Sequence, residues 1–100
     1  MKYNKLVRDK IPEIIKAKGG QAVYHIAGSE EYWKKLKEKL LEELGEFFSS
    51  ESPHDLGDLY EVLNSMRDFK GYDAVELEKI RATKAEDRGG FKEKIILDES

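Results

Sequence analysis

Two pairs of acidic residues stand out, because each pair lies three positions apart in a stretch whose pattern is typical of a helix. The pairs are Glu43 with Glu46 and Asp55 with Asp58. Side chains at this spacing project from one flank of a helix. If the two helices lie side by side, four carboxylates converge and repel one another unless a cation sits among them. The hard cation that suits carboxylate oxygens is Mg²⁺, with Mn²⁺ as a near substitute, so the pattern predicts metal-assisted chemistry on a phosphate.

The first acidic pair requires a long amphipathic helix to position it. Ser29 is expected to cap this helix, whose periodicity continues to about residue 48. At about 100° per residue, its apolar side chains share an arc of roughly 140°, which defines the core face. They are Trp33, Leu36, Leu40, Leu41, Leu44, Phe47 and Phe48. Glu43 and then Glu46 lie beyond the edge of this arc, whereas Glu42 points to the far side and is expected to be solvated.

The second acidic pair lies near the start of another long helix, over residues 53–69. Ser52 supplies a cap and Pro53 the first helical position. The apolar face of this helix carries Leu56, Leu59, Val62, Leu63, Met66 and Phe69. Asp58 sits at the edge of that face. Because the loop between the two helices is short, an antiparallel pair brings the start of the second close to the end of the first, and the acidic pairs then face each other.

Two shorter helices are expected on either side of this pair. Pro12 near the start and Gly19 just past the end bracket the first of them. Asp73 with Glu76 three positions later forms a capping-box-like start for the second, which ends before Gly89.

Residues 21–27 and 91–97 carry the β-branched, aromatic and apolar side chains typical of short strands, so we expect them to pair. The sequence thus predicts a mainly α fold: an antiparallel helical bundle around a long-helix pair, with a small peripheral two-stranded β element. At 100 residues and 11.6 kDa the chain forms one domain. A domain of this size buries a limited share of its surface, so a partner subunit is expected to complete the core.

Composition excludes several functional classes. The formal net charge is −3, so no overall basic field attracts a nucleic acid polymer. No apolar stretch approaches the roughly 18 residues of a membrane span, and the start of the chain lacks the apolar segment of a secretory signal. Cysteine is absent, which removes disulfides and thiolate chemistry. We therefore expect a cytoplasmic protein without a membrane partner.

Three sequence blocks together resemble a known family. Residues 42–46 (EELGE) and 55–58 (DLGD) resemble the acidic signature of the MazG-like all-α nucleoside triphosphate pyrophosphohydrolases. Residues 3–12 (YNKLVRDKIP) and 84–91 (KAEDRGGF) are similar to the branch described as phosphoribosyl-ATP pyrophosphohydrolase-like. The blocks span nearly the whole chain, so the resemblance covers residues 1–100 as one MazG-like domain.

The resemblance implies a helical fold around a long-helix pair and Mg²⁺-dependent hydrolysis of a nucleoside triphosphate to the monophosphate and pyrophosphate. It also implies a homodimer or a higher homo-oligomer. Glu43, Glu46 and Asp58 match the metal-binding positions of the family. Asp55 stands where the family pattern has Glu, and the stretch between the two acidic pairs is shorter than usual.

The chemistry assigns further roles. Hydrolysis at phosphorus needs an aligned water, and a carboxylate that is not fully committed to the metal can deprotonate it. Glu43 and Glu46 are both candidates for this base. Two groups of basic residues are candidates for binding the phosphates of the substrate. They are Lys5, Arg8 and Lys10 near the start of the chain, and Lys84 and Arg88 on the last helix.

Each of these residues also has a plainer interpretation. Acidic residues on a helix shoulder are often only solvated, which would make the protein a non-catalytic helical interaction module with a degenerate metal site. Asp55 lies three positions after Ser52 and could simply close a capping box. Arg8 could pair with the neighbouring Asp9. Within the enzymatic interpretation, a free nucleoside triphosphate and phosphoribosyl-ATP itself both remain candidate substrates.

Overall fold

The fold is built around one pair of long helices. In the computed structural model, which describes residues 3–100, helix α2 spans Ser29–Ser50 and helix α3 spans Pro53–Lys70. Only residues 51 and 52 separate them. Aromatic rings from the start of α2 contact a ring at the end of α3, so the two helices are antiparallel. The long-helix pair expected from the sequence periodicity is therefore present.

The core between α2 and α3 is small. Leu36 of α2 is 1% exposed, and Leu59 and Val62 of α3 are also buried. At the end of the pair remote from the connecting loop, the rings of Trp33 and Phe69 stack with their centroids 5.3 Å apart. These contacts hold the two helices in register and fix which residues of α2 and α3 meet near the loop.

The buried face of α2 is narrower than the sequence predicts. Leu41 and Phe48 belong to the predicted core arc, yet each is 71% exposed. The packing of α2 against α3 is the only extensive helix–helix packing among residues 3–100. One neighbouring helix covers one side of α2, and within residues 3–100 no third helix packs extensively on the side on which these two residues lie.

Local sequence signals set most of the helix ends. The Ser52 side chain accepts a hydrogen bond of 3.2 Å from the backbone N–H of Asp55, and Asp73 accepts one of 3.0 Å from that of Glu76. Both caps agree with the sequence prediction. Gly71 ends α3 with a φ of +72°, a conformation that glycine adopts without steric cost.

The start of α2 differs from the prediction. Gly28, rather than Ser29, is the N-cap residue, and no side chain caps this end. The helix begins one residue earlier than expected, because the backbone N–H of Tyr32 donates to the carbonyl oxygen of Gly28 at 2.8 Å. Ser29 thus occupies the first helical position.

Two further helices complete the described chain. Helix α1 spans Ile11–Ala17 and helix α4 spans Ala74–Arg88. No helix in this part of the chain is long and apolar enough to cross a membrane. Helix α4 carries exposed apolar residues such as Val75 and Ile80.

The molecule is elongated and extends 58 Å along its longest axis. The radius of gyration is 17.9 Å, whereas a compact chain of this length has one of about 13 Å.

The predicted β element is not formed, since residues 3–100 contain no strand. Val23 and Ile26 in the first predicted strand are 93% and 87% exposed. In the second, a backbone hydrogen bond from Lys94 N–H to the Phe91 carbonyl closes a turn, and Lys94 has a φ of +59°. An extended segment gains its backbone hydrogen bonds only from a neighbouring strand, and one chain does not bring these two segments together.

Candidate metal centre

Three acidic side chains converge where α2 approaches the start of α3. Glu43, Asp55 and Asp58 each place one carboxylate oxygen so that the three oxygens all lie within 4.8 Å of one another. We refer to these three residues as the acidic trio. Glu43 comes from the second half of α2, and the other two come from the first two turns of α3. The loop of two residues between the helices is what allows positions so close in sequence to face each other.

Glu43 is the buried member of the acidic trio. The residue is 6% exposed, and its Oε2 atom has no hydrogen-bond partner among residues 3–100. Burial raises the pKa of the Glu43 carboxyl above its ordinary value of 4.5, and the nearby charge of Glu46 raises it further, while the charge of Lys39 acts in the opposite direction. A buried carboxylate oxygen without a donor is rare in folded proteins, and a bound cation is one way to satisfy it.

Glu46 lies beside Glu43 but is not a member of the acidic trio. It is exposed, and its carboxylate is close enough to Glu43 to raise the pKa of that residue. The sequence predicts Glu46 both as a metal ligand and as a base. The structure brings it next to the cluster with its carboxylate in contact with solvent, where it can reach a water molecule.

Asp55 performs the capping role and also joins the acidic trio. Its backbone N–H donates to the Ser52 side chain, which is the capping interaction that the alternative interpretation expects. Its carboxylate Oδ2 accepts hydrogen bonds from the hydroxyls of Ser50 and of Ser52, the latter at 3.2 Å. The reciprocal half of a capping box is absent, because the Ser52 N–H donates instead to the Ser50 hydroxyl at 3.1 Å. These hydroxyls fix the orientation of the Asp55 carboxylate.

Asp58 is held by a cation from a distant part of the chain. Arg8 donates from Nη2 to Asp58 Oδ1 at 2.8 Å, across fifty positions of sequence. The local pairing of Arg8 with Asp9, which the sequence leaves open, is not among the ion pairs of the described residues. Arg8, expected to bind substrate, therefore lies directly against the acidic trio.

Glu42 keeps contact with solvent, as predicted, but it also has a partner that the prediction does not include. It is half-buried and accepts a hydrogen bond from Lys5 Nζ at 3.1 Å. That hydrogen bond lowers the pKa of the Glu42 carboxyl, and the charge of Lys39 lowers it further. The helical wheel of α2 alone does not show that Lys5, in the N-terminal arm (residues 3–10), reaches this side of the helix.

Sequence reasoning also missed Lys39. Its Nζ lies 3.5 Å from Glu43 Oε1 and 3.7 Å from Glu42 Oε2, so it partly balances the buried carboxylate. The signal was available, because Lys39 precedes Glu43 by four positions, a spacing at which side chains on a helix meet.

Among residues 3–100, the ion pairs of the acidic trio include none of the remaining predicted phosphate-binding residues. Lys84 and Arg88 lie on α4, where they line a shallow groove together with Glu76 and Lys79. Helix α4 does not pack extensively on the α2 and α3 pair. Lys10 is exposed at the N-cap of α1.

The donor set of the acidic trio fits a small hard cation. Mg²⁺ takes oxygen ligands at about 2.1 Å, so two oxygens on one ion lie no more than about 4 Å apart. Small side-chain rotations bring oxygens that now lie within 4.8 Å of one another to that separation. Mg²⁺ usually keeps several water molecules, so three carboxylates are enough to hold it.

The chain is 43% identical over 47 residues to an uncharacterized protein from Mycolicibacterium smegmatis. The matched stretch covers 47% of this chain and 48% of that protein, so this chain spans about half the length of its relative. No family model matches the chain, and no solved structure matches it.

Proposed function

We propose that this protein is a Mg²⁺-dependent nucleotide pyrophosphohydrolase of the MazG-like kind. Its substrate is a nucleoside triphosphate or a phosphoribosyl nucleotide, and its products are the monophosphate and pyrophosphate. The observation that carries this proposal is the buried Glu43 carboxylate, which lies within a trio of acidic side chains and whose Oε2 has no hydrogen-bond partner within residues 3–100. An unsatisfied buried polar group costs a protein about 1–3 kcal/mol of stability, and a cation bound by Glu43 offsets that cost.

In this proposal different side chains bind the ion, activate the water and bind the phosphates. Glu43, Asp55 and Asp58 hold the ion, which supplies charge neutralisation and a template for the phosphate and the attacking water. Glu46 accepts the proton of that water, since it is exposed, adjacent and outside the trio. Arg8, in contact with Asp58, and Lys5, on the same arm, supply donors for phosphate oxygens.

The test is pyrophosphate release across a panel of canonical and damaged nucleotides and phosphoribosyl nucleotides, with Mg²⁺ present. Glu46→Gln should lower kcat by about 10²- to 10⁴-fold, the usual contribution of a general base, while retaining Mg²⁺ binding. Glu38→Gln, an exposed carboxylate on the same helix, is the matched control and should retain the wild-type rate. Absence of pyrophosphate release from every nucleotide by the wild-type protein would contradict the proposal.

A second candidate, a non-catalytic helical interaction module, is favoured by the exposed apolar residues near the end of the chain. Phe91 is 97% exposed, and Ile95, Ile96 and Leu97 are all about 80% exposed. We propose that a second copy of the chain covers part of this surface, as the expected homodimer requires, and sedimentation measures that assembly. Assembly together with turnover supports the enzyme, whereas assembly with neither turnover nor Mg²⁺ binding supports the module.

A further inference from the structure

The N-terminal arm, residues 3–10, is fastened across the site by three polar contacts. Lys35 Nζ donates to the backbone carbonyl of Asn4 at 2.8 Å, and Lys5 Nζ lies 3.1 Å from Glu42 Oε1. Both of these contacts attach the arm to α2. The third, from Arg8 to Asp58 at 2.8 Å, reaches α3 and engages a member of the acidic trio.

Arg8 therefore neutralises a carboxylate that an ion bound to the trio would also use. The trio carries three carboxylates, and the cations beside it are Lys39 near Glu43 and Arg8 on Asp58. Lys39 lies on the same helix as its partner and stays close whatever the trio binds. Arg8 is anchored through the arm alone, and its side chain is 59% exposed, so it is free to leave Asp58.

We infer that Arg8 is an exchangeable counter-ion of the metal site: a divalent cation displaces its guanidinium from Asp58, and the released guanidinium then binds a phosphate group of the substrate. This inference rests on the proposed function. Two positive charges cannot share one carboxylate without mutual repulsion, and the doubly charged ion gains the other two carboxylates as well.

The geometry keeps the displaced side chain nearby. The Lys5 and Asn4 contacts remain on α2, and three extended residues from Lys5 to Arg8 span about 10 Å at most. The guanidinium is a planar fork of donors that matches phosphate oxygens in pairs, and a phosphate bound to the ion carries the negative charge that Arg8 has lost.

The first test measures competition by calorimetric titration with Mg²⁺ and with Mn²⁺. Arg8→Gln should bind either ion about two- to five-fold more tightly than the wild type, because an exposed charge pair contributes at most about 1 kcal/mol. Arg81→Gln is the matched control, since it removes another exposed arginine–carboxylate pair, on α4 and outside the trio, and it should leave the affinity unchanged. In the presence of Mg²⁺, Arg8→Gln should bind inorganic pyrophosphate more weakly than Arg81→Gln does.

The second test observes the guanidinium itself by NMR of the arginine side chains. Saturating Mg²⁺ should move the Arg8 signals to those of an unpaired arginine and leave those of Arg81, which pairs with Glu78 at 2.6 Å on α4, unchanged. If the wild type binds Mg²⁺ but the Arg8 signals do not move, or Arg8→Gln binds no more tightly, the exchange is refuted while the metal site stands. If the wild type binds no Mg²⁺ in the calorimeter, both the exchange and the proposed function are refuted.

Discussion

Glu43 on α2 and Asp58 on α3 each present a carboxylate oxygen within 4.8 Å of the other, with Asp55 completing the group. The charge of Asp58 is among the causes that raise the pKa of Glu43, after burial and the charge of Glu46. The two carboxylates thus oppose each other in the absence of an ion and cooperate in its presence. Such a site lowers the stability of the folded protein when no ion is bound, and binding of a cation raises that stability.

The first prediction concerns the stability of the metal-free protein. Glu43→Gln should raise the melting temperature at pH 7 with a chelator present. The reason is that it replaces a buried carboxyl group, whose ionised form is disfavoured in the folded state, with a neutral amide. Glu61→Gln, an exposed carboxylate on α3, should leave the melting temperature unchanged. Thermal unfolding followed by circular dichroism measures both, and a lower melting temperature for Glu43→Gln would show that the charge of Glu43 stabilises the fold.

The second prediction is that the stability gained by Glu43→Gln over the wild type depends on pH. Since the folded protein raises the pKa of Glu43 above the ordinary 4.5, the folded state binds the proton more tightly than the unfolded state does. The cost of the charge is therefore fully present above the raised pKa and disappears as pH falls through it towards 4.5. The difference in unfolding free energy between Glu43→Gln and the wild type should shrink over this interval in urea titrations; a difference that does not change with pH would contradict the assigned cause.

The third prediction distinguishes a residue of α2 that is buried in the structure from one that only the sequence places in the core. Leu36→Ala should lower the free energy of unfolding by about 2–5 kcal/mol, because Leu36 is fully buried between the helices. Leu41→Ala, on the same helix and 71% exposed, should change it by less than about 0.5 kcal/mol in dilute monomeric protein. Urea denaturation measures both values, and equal losses would mean that Leu41 is covered in solution.

The fourth prediction tests the start of α3. Ser52→Ala removes the cap on the Asp55 N–H and should cost about 1 kcal/mol of stability. Ser65→Ala is the control on the same helix, since the Ser65 hydroxyl only donates to the Glu61 carbonyl oxygen within the helix. It should cost less than about 0.5 kcal/mol. Similar costs for the two variants would show that the Ser52 cap does not stabilise α3.

The parts of the structure that the sequence predicts well depend on contacts between near neighbours. Ser52 and Asp73 cap their helices because both partners of each hydrogen bond lie three positions apart. Glu43 approaches Asp58 because their helices are consecutive in the chain and are joined by a short loop. The helical spacing of each residue is also a local property of the sequence.

The parts that the sequence misses depend on segments far apart in the chain. No periodicity relates Arg8 to Asp58 or Lys5 to Glu42, so the position of the arm cannot be read from either pattern. Leu41 belongs to the apolar arc of α2, but the width of that arc does not determine how much of it a neighbouring helix covers. The predicted strand over residues 21–27 has the right composition and lacks a partner within one chain.

The central claim, that Glu43, Asp55 and Asp58 hold one divalent cation, is tested most directly by calorimetric titration of the metal-free protein with Mg²⁺ and Mn²⁺. We predict saturable binding of one ion per chain by the wild type, and loss of that binding in Glu43→Gln and in Asp58→Asn, with Glu61→Gln unaffected. Wild-type protein that shows no saturable binding, or a Glu43→Gln variant that binds as the wild type does, would contradict the claim.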